Sequence, residues 1–94
     1  MNKSIYTNNY SIFLRCLKSA RVNANLSQIE LAKRLNATQS FISKCERGER
    51  RLDIAELRAF CAAIGISLGE FVEAMEEQIQ QEATPSNESA IDKR

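Results

Sequence analysis

Three motifs divide the sequence into short segments, and in each a serine or an aspartate stands just before a run of helically spaced apolar residues and is followed three residues later by a glutamate. They are Ser27 with Glu30, Asp53 with Glu56, and Ser67 with Glu70. In such a capping box, the first side chain accepts a hydrogen bond from the backbone amide of the glutamate. The glutamate side chain accepts one from the backbone amide of the first residue. Each motif therefore predicts that an α-helix begins directly after its first residue.

Five helices follow from these motifs and from the apolar residues, which repeat every three or four positions. The predicted helices cover about residues 9–23, 28–36, 39–47, 54–64 and 68–81. The third helix has Thr38 as its N-cap and ends at Gly48, and the fourth ends at Gly65. Because no segment alternates apolar and polar residues as a strand does, the sequence predicts an all-α fold.

The chain length of 94 residues is enough for one small domain. We predict a flexible N-terminal arm over residues 1–8, a folded domain over residues 9–82 and a disordered tail over residues 83–94. The tail sequence, ATPSNESAIDKR, is polar and contains the single proline, which is typical of disorder. Because so small a domain buries little apolar surface by itself, a partner subunit that buries more is expected.

Several kinds of site are excluded by the cysteine and histidine content. Cys16, Cys45 and Cys61 are widely spaced, no Cys-x-x-Cys pair occurs, and the chain contains no histidine. This argues against a zinc site, a disulfide framework and a thiol–imidazole catalytic pair, and favours small buried side chains in a reducing compartment. Since no paired carboxylates or glycine-rich phosphate loop occur either, we expect no metal, no cofactor and no enzymatic activity.

The longest apolar run near the N-terminus, SIFLRCL, is short and interrupted by Arg15, unlike a secretory signal. No run approaches the roughly 18 apolar residues that a membrane-spanning helix needs. The sequence therefore favours a cytoplasmic protein.

The charges are distributed unevenly along the chain. Residues 1–53 contain ten basic and four acidic residues, a net charge of +6. Residues 54–94 contain three basic and eight acidic residues, a net charge of −5. The first half is therefore suited to a polyanion such as DNA, and the second half would repel one.

The second and third predicted helices are separated by only a few residues, and the third is polar on its outer face, as in a helix-turn-helix. The stretch LSQIELAKRLNATQSFISKCERGERRLDIAELRAFCAAIGISLGEFV resembles the DNA-binding domain of the Cro and phage-repressor type, the xenobiotic-response-element (XRE) family. The resemblance covers roughly residues 10 to 75. Its signature residues are Gln28, Leu31, Ala32, Gln39, Ile42, Ser43, Glu46, Gly48, Leu57 and Ile64. It implies a five-helix, lambda-repressor-like domain whose second and third helices form the helix-turn-helix.

In the third predicted helix, Ile42 and Cys45 share a face that should point into the core. The outward residues are Gln39, Ser40, Ser43, Lys44 and Arg47. The resemblance implies that the first turns of this helix enter the major groove. A glutamine can pair with adenine N6 and N7, a lysine can donate to guanine O6 or N7, and serines can serve either base. Gln39, Ser40, Ser43 and Lys44 are therefore candidate base contacts, and the alternative is an ordinary solvated polar face.

Four further residues are candidate contacts to DNA phosphates, and the alternative for each is an exposed polar side chain. They are Gln28, in the first turn of the second helix, and Arg47, Arg50 and Arg51 around the loop before the fourth helix. Asp53 places a negative charge near the arginines, which weighs against a close approach of the fourth helix to DNA. Phe41 lies between the inner and outer faces, and either packing or contact with a sugar or thymine methyl is open.

The resemblance also implies a structural salt bridge between Arg21 of the first helix and Glu46 of the third, although an unpaired surface acid and an arginine near phosphate are alternatives. On the fifth helix, Phe71, Met75 and Ile79 extend the apolar row beyond what the short fourth helix can cover. They are a candidate homodimer interface, and packing within the chain is the alternative, particularly for Phe71.

The sequence thus predicts a sequence-specific DNA-binding transcription regulator, with repression as the expected mode. Its partners would be double-stranded DNA and a second copy of the chain, on a pseudo-palindromic operator. The alternative is an antitoxin-like or adaptor protein that mainly binds a protein partner through its C-terminal helix. The acidic C-terminal third favours that alternative somewhat.

Overall fold

The computed structural model describes residues 3–83 of the chain, with the side chains of residues 8–82. It contains five α-helices: α1 (Lys3–Asn23), α2 (Gln28–Leu35), α3 (Gln39–Arg47), α4 (Ile54–Ile64) and α5 (Leu68–Ala83). Within these residues no strand occurs, so the predicted all-α class is confirmed. Most of the predicted disordered tail, residues 84–94, lies outside the described residues, and the division of the chain into arm, domain and tail stays a prediction.

All three predicted capping boxes are formed. Ser27 accepts from the Glu30 amide at 3.0 Å, and Glu30 Oε1 accepts from the Ser27 amide at 2.8 Å. The Asp53–Glu56 and Ser67–Glu70 pairs make the same reciprocal bonds at 2.7 to 3.0 Å. Side-chain capping therefore fixes the start of α2, α4 and α5, because the first amides of a helix have no partner within it.

The turn between α2 and α3 is set by backbone conformation. Asn36 ends α2 in the left-handed region, with φ of 57°, and its amide donates to the Ala32 and Lys33 carbonyls. Thr38 then accepts from the Phe41 amide at 3.1 Å and begins α3. Only three residues separate the two helices, which makes them a helix-turn-helix.

Gly48 ends α3 with φ of 82° and lies directly against α1. A Cβ atom built on Gly48 would come within 2.9 Å of Leu14 Cδ1. A larger residue would therefore be strained by its backbone and would also press on α1. The absence of a side chain at Gly48 therefore allows the loop after α3 to lie close to α1.

The predicted start of α1 near Asn9 was wrong, because the helix begins at Lys3. Residues 3–9 contain neither glycine nor proline. The polar residues there, such as Asn8 and Asn9, cost only a few tenths of a kcal/mol each inside a helix. Nothing in this segment breaks the helix, so it extends through most of the predicted arm.

The core forms where the apolar faces of all five helices meet. Its most completely buried side chains are Leu17, Leu31, Ile42, Cys45, Phe60 and Cys61. The predicted inward pair of α3 is thus buried, which leaves the opposite face of α3 to solvent. Burial raises the pKa of the Cys45 and Cys61 thiols, which keeps them neutral.

Phe71, predicted as part of a dimer interface, lies instead in the core. Phe71 is only 2% exposed, and its ring meets the ring of Phe13 edge-on at a centroid distance of 5.8 Å. A side chain buried in this way cannot contribute surface to a partner. Met75 and Ile79 remain half-buried on α5. Within residues 3–83, no helix is long and apolar enough to cross a membrane.

Candidate nucleic-acid interface

The outer face of α3 presents three exposed polar side chains, Gln39, Ser40 and Lys44. Ser43, also predicted as a base contact, is half-buried. Ile42 and Cys45 fix the rotation of the helix, because both are buried on the opposite side. The first two turns of α3 therefore form a polar surface backed by the core.

A chain of hydrogen bonds links α1, α2 and α3. It runs from Arg21 of α1 to Glu46 near the end of α3, then to Gln28 of α2, and finally to Gln39, the first residue of α3. Arg21 donates to Glu46 through Nε at 2.6 Å and a terminal nitrogen at 3.0 Å, and to the Leu26 carbonyl at 2.7 Å. Gln28 Nε2 donates to Glu46 Oε1 at 3.0 Å, and Gln39 Nε2 donates to Gln28 Oε1 at 2.8 Å. Arg21 and Glu46 thus form the ion pair that the sequence resemblance implied.

The position of Gln39 in this chain leaves part of its amide group available. Its Oε1 and its second Nε2 hydrogen are not used by the bond to Gln28. One acceptor and one donor side by side match adenine N6 and N7. Gln28, predicted to hold a phosphate, is itself occupied by Glu46 and Gln39 and retains a single Nε2 hydrogen for a further contact.

Arg47 is tied to neighbours on its own side of α3. It pairs with Glu49, with Nε 2.9 Å from Oε2, and also donates to the Ser43 hydroxyl. The hydrogen bond from Arg47 holds the pKa of Glu49 below its ordinary value. Both Arg47 and Ser43 would have to release or share these contacts to reach DNA.

Arg50 is held by a carboxylate and by an aromatic ring. It pairs with Glu56 at 2.8 Å, and the hydrogen bond lowers the pKa of that carboxyl group. Its guanidinium carbon lies 5.2 Å from the centroid of the Phe41 ring. Phe41 in turn packs on Phe60 of the core, with centroids 6.2 Å apart. Phe41, which the sequence left undecided, is thus a half-buried packing residue beneath Arg50.

Arg51 differs from the other two loop arginines. Its guanidinium carbon lies 4.5 Å from the centroid of the Tyr10 ring on α1. Among the side chains that the structure describes, no carboxylate pairs with it. Arg51 is therefore the predicted phosphate contact with the most hydrogen-bond capacity to offer.

Sequence reasoning missed the partners of these arginines. Glu49 lies only two residues after Arg47, and Glu56 already has a role as the capping residue of α4. Neither position therefore indicates by itself that the glutamate pairs with a loop arginine. Tyr10 was not singled out because its contact with Arg51 joins α1 to a loop 41 positions away. Among residues 3–83, no group of three or more potential ligands could hold a metal ion.

Comparison with known proteins places this geometry in context. A helix-turn-helix family model matches residues 17–71. An XRE-family like protein from Pseudomonas syringae pathovar tomato is 41% identical, with 81% of this chain and 93% of that chain aligned and a TM-score of 0.75. The wild-type restriction-modification controller protein C.Esp1396I is 27% identical, with 76% of this chain and 91% of that chain aligned and a TM-score of 0.70.

The clp gene regulator ClgR from Corynebacterium glutamicum shares the fold. It is 24% identical, with 80% of this chain and 84% of that chain aligned and a TM-score of 0.64. No curated protein sequence matches the chain significantly.

Proposed function

Because this chain belongs to the XRE-type helix-turn-helix family and is a DNA-binding transcriptional regulator, we propose that it reads a specific DNA sequence as a homodimer and acts as a repressor. In this proposal α3 enters the major groove, and the loop arginines contact the phosphates on either side. The family is non-enzymatic. A repressor that acts on operator DNA would work in the cytoplasm.

The observation that carries the proposal is the arrangement of Gln39. Its amide lies on the exposed face of α3 and is held by a hydrogen-bonded chain that ends in the buried Arg21–Glu46 pair. A side chain held in one orientation loses less entropy on binding than a free one, and selects one base more sharply. Ser40 and Lys44 extend the same surface toward neighbouring base pairs.

Selection of bound duplexes from a random pool, followed by competition with bulk DNA at moderate salt, tests this proposal. A single enriched motif with two related half-sites is the expected result. If no sequence outcompetes bulk DNA, specific reading is wrong. The antitoxin-like or adaptor alternative would then be favoured, because α5 presents exposed glutamates (Glu73, Glu76 and Glu77) to a protein partner.

We expect Arg51→Ala to weaken binding to all DNA sequences alike. Each phosphate contact that is lost reduces the slope of log affinity against log salt by about 0.9. The measurement is a titration by fluorescence anisotropy at several salt concentrations. Arg15→Ala is the matched control, since it removes the same charge from an exposed arginine that pairs with Glu82 of α5. An Arg51→Ala slope equal to that of Arg15→Ala would remove Arg51 from the phosphate contacts.

The homodimer part of the proposal now rests on Met75 and Ile79 of α5. Both are half-buried and line an open groove with Ile54, which is 65% exposed. Ile54 begins α4, so two helices contribute apolar side chains to the groove, which also contains the charged side chains of Arg51, Asp53 and Glu76.

Ile79→Glu should shift the dimer toward monomer in sedimentation experiments. An unpaired charge in an apolar interface costs several kcal/mol, so dimerisation should weaken by on the order of 100-fold. Gln78→Glu is the control, because it adds the same charge at the preceding position, whose side chain is exposed. A dimer that survives Ile79→Glu as well as it survives Gln78→Glu would contradict this interface.

A further inference from the structure

Arg51 pairs with no carboxylate among the described side chains, and its guanidinium group lies over an aromatic ring. Its guanidinium carbon is 4.5 Å from the centroid of the Tyr10 ring, within the distance of a cation–π contact. Such a contact is made to the delocalised positive charge and occupies none of the guanidinium N–H groups with a carboxylate, so these groups remain able to bind another acceptor. Arg47 and Arg50, by contrast, already donate those N–H groups to Glu49 and Glu56.

The ring of Tyr10 is itself anchored in the core. It packs on Phe13 with centroids 5.4 Å apart, and Phe13 meets Phe71 at 5.8 Å. Phe71 is 2% exposed. A row of three rings therefore leads from the core to the guanidinium group of Arg51, and it supports the ring against which that group packs.

The same part of α1 also holds the start of the loop. A Cβ atom on Gly48 would lie 2.9 Å from Leu14 Cδ1 and 3.7 Å from Tyr10 Cε2. Tyr10 and Leu14 are four residues apart and so lie on one face of α1. The loop backbone and the Arg51 side chain are thus positioned by one surface of one helix.

The hydroxyl group of Tyr10 does not explain why a tyrosine is suited to this position. The atom is buried, and within the described part of the chain it has no hydrogen-bond partner. A buried hydroxyl without a partner opposes folding. The ring, and not the hydroxyl group, is what Tyr10 contributes to the contact.

We propose that Tyr10 is a positioning residue for DNA binding, whose ring holds the Arg51 guanidinium group ready to bind a backbone phosphate. The proposal rests on the proposed function and adds a residue outside the helix-turn-helix to the DNA-binding surface. Tyr10 touches no base. It acts by restricting Arg51, so that less side-chain entropy is lost when the phosphate contact forms.

A double-mutant cycle with Tyr10→Leu and Arg51→Ala tests this coupling on mixed-sequence duplex DNA, because a phosphate contact does not depend on sequence. Tyr10→Leu should weaken binding by about 2- to 10-fold for each half-site, the usual cost of ordering one long side chain on binding. In the Arg51→Ala background, the same substitution should have no further effect. Tyr10→Phe should bind as wild type does and unfold at an equal or higher temperature.

Two outcomes of the cycle would overturn the proposal. In the first, Tyr10→Leu weakens DNA binding by the same factor whether residue 51 is arginine or alanine, which would indicate a general structural role. The other is an equal loss in Tyr10→Phe and Tyr10→Leu, which would assign the effect to the hydroxyl group. If the wild-type protein binds no DNA, the proposed function fails, and the contact between Tyr10 and Arg51 is then tested in the free protein.

Nuclear magnetic resonance of the free protein tests the contact without DNA. The Tyr10 ring current should move the Arg51 side-chain protons upfield in the wild-type and Tyr10→Phe proteins. In a Tyr10→Leu protein that folds, the shift should disappear. Arg51 protons at ordinary positions in the wild-type protein would overturn the contact, while a shift together with absent DNA binding would assign the failure to the proposed function alone.

Discussion

Arg21→Met is expected to lower the free energy of unfolding by about 3 to 5 kcal/mol, since this is the usual cost of removing one partner of a buried ion pair. The Arg21 and Glu46 side chains are only 9% and 4% exposed. Arg21 donates two hydrogen bonds to Glu46 and one to the Leu26 carbonyl. Without it, the Glu46 carboxylate keeps only the Gln28 amide as a described partner, and water reaches it poorly.

Urea denaturation followed by circular dichroism measures this loss. Arg15→Met is the matched control, because Arg15 lies on the same helix and pairs with Glu82, but the two side chains are 57% and 47% exposed. An exposed pair contributes about 0 to 1 kcal/mol. The buried-pair interpretation would be contradicted if Arg21→Met and Arg15→Met lowered stability equally.

The double variant Arg21→Met with Glu46→Met separates the ion pair from the cost of an unpaired charge. Apolar side chains of similar volume can replace a buried pair with little loss, whereas a single removal leaves an uncompensated charge. We therefore expect the double variant to be more stable than Arg21→Met alone. Its stability should stay below that of the wild-type protein, because the Leu26 carbonyl also loses a donor.

The helix boundaries could be predicted from the sequence where a local signal marks them. Ser27, Asp53 and Ser67 each have their capping glutamate three residues away, so the start of a helix follows without knowledge of the fold. Gly48 and Asn36 mark ends in the same local way. The start of α1 could not be predicted in this way, because several residues that can cap a helix, such as Ser4, Thr7 and Asn8, precede Asn9, whereas the helix begins at Lys3.

The sequence predicts which residues belong to the candidate site, but it does not predict which side chains they contact. The rotation of α3 followed from the spacing of Ile42 and Cys45, which placed Gln39 and Lys44 outside. Which acid each loop arginine meets depends on how the loop folds back on α1 and α4. No spacing rule brings Arg51 to Tyr10, or Arg50 to Phe41. From the sequence alone the loop arginines are equivalent phosphate candidates, whereas the structure distinguishes Arg51 from Arg47 and Arg50, which are already paired.

For Phe71, the sequence could not distinguish a position in the core from a position in a dimer interface. Its place in the apolar row of α5 is compatible with a dimer interface and with the core, since both need an apolar side chain at helical spacing. The angle at which α5 crosses α1 decides between them. Phe71 meets Phe13 edge-on in the core, while Met75 and Ile79, one and two turns further along, stay half-buried.

Gln39→Ala is expected to relax selectivity at one base pair of each half-site and to weaken binding to the selected operator by about 1 to 3 kcal/mol for each half-site. The amide of Gln39 is oriented by Gln28, and Gln28 by Glu46. Gln28→Ala should therefore produce a smaller loss at that same base pair, because Gln39 is kept but no longer held. Binding to every single-base variant of the operator measures both effects.

Lys44→Ala should relax selectivity at a different base pair, by a similar amount, since Lys44 lies one turn further along the exposed face of α3. Lys33→Ala is its matched control, because Lys33 is equally exposed but lies at the C-terminal end of α2. The loss of one positive charge should weaken binding to all sequences in both variants, and only Lys44→Ala should change the ranking of bases. If Gln39→Ala and Lys44→Ala both left that ranking unchanged, α3 would not be the helix that reads the bases.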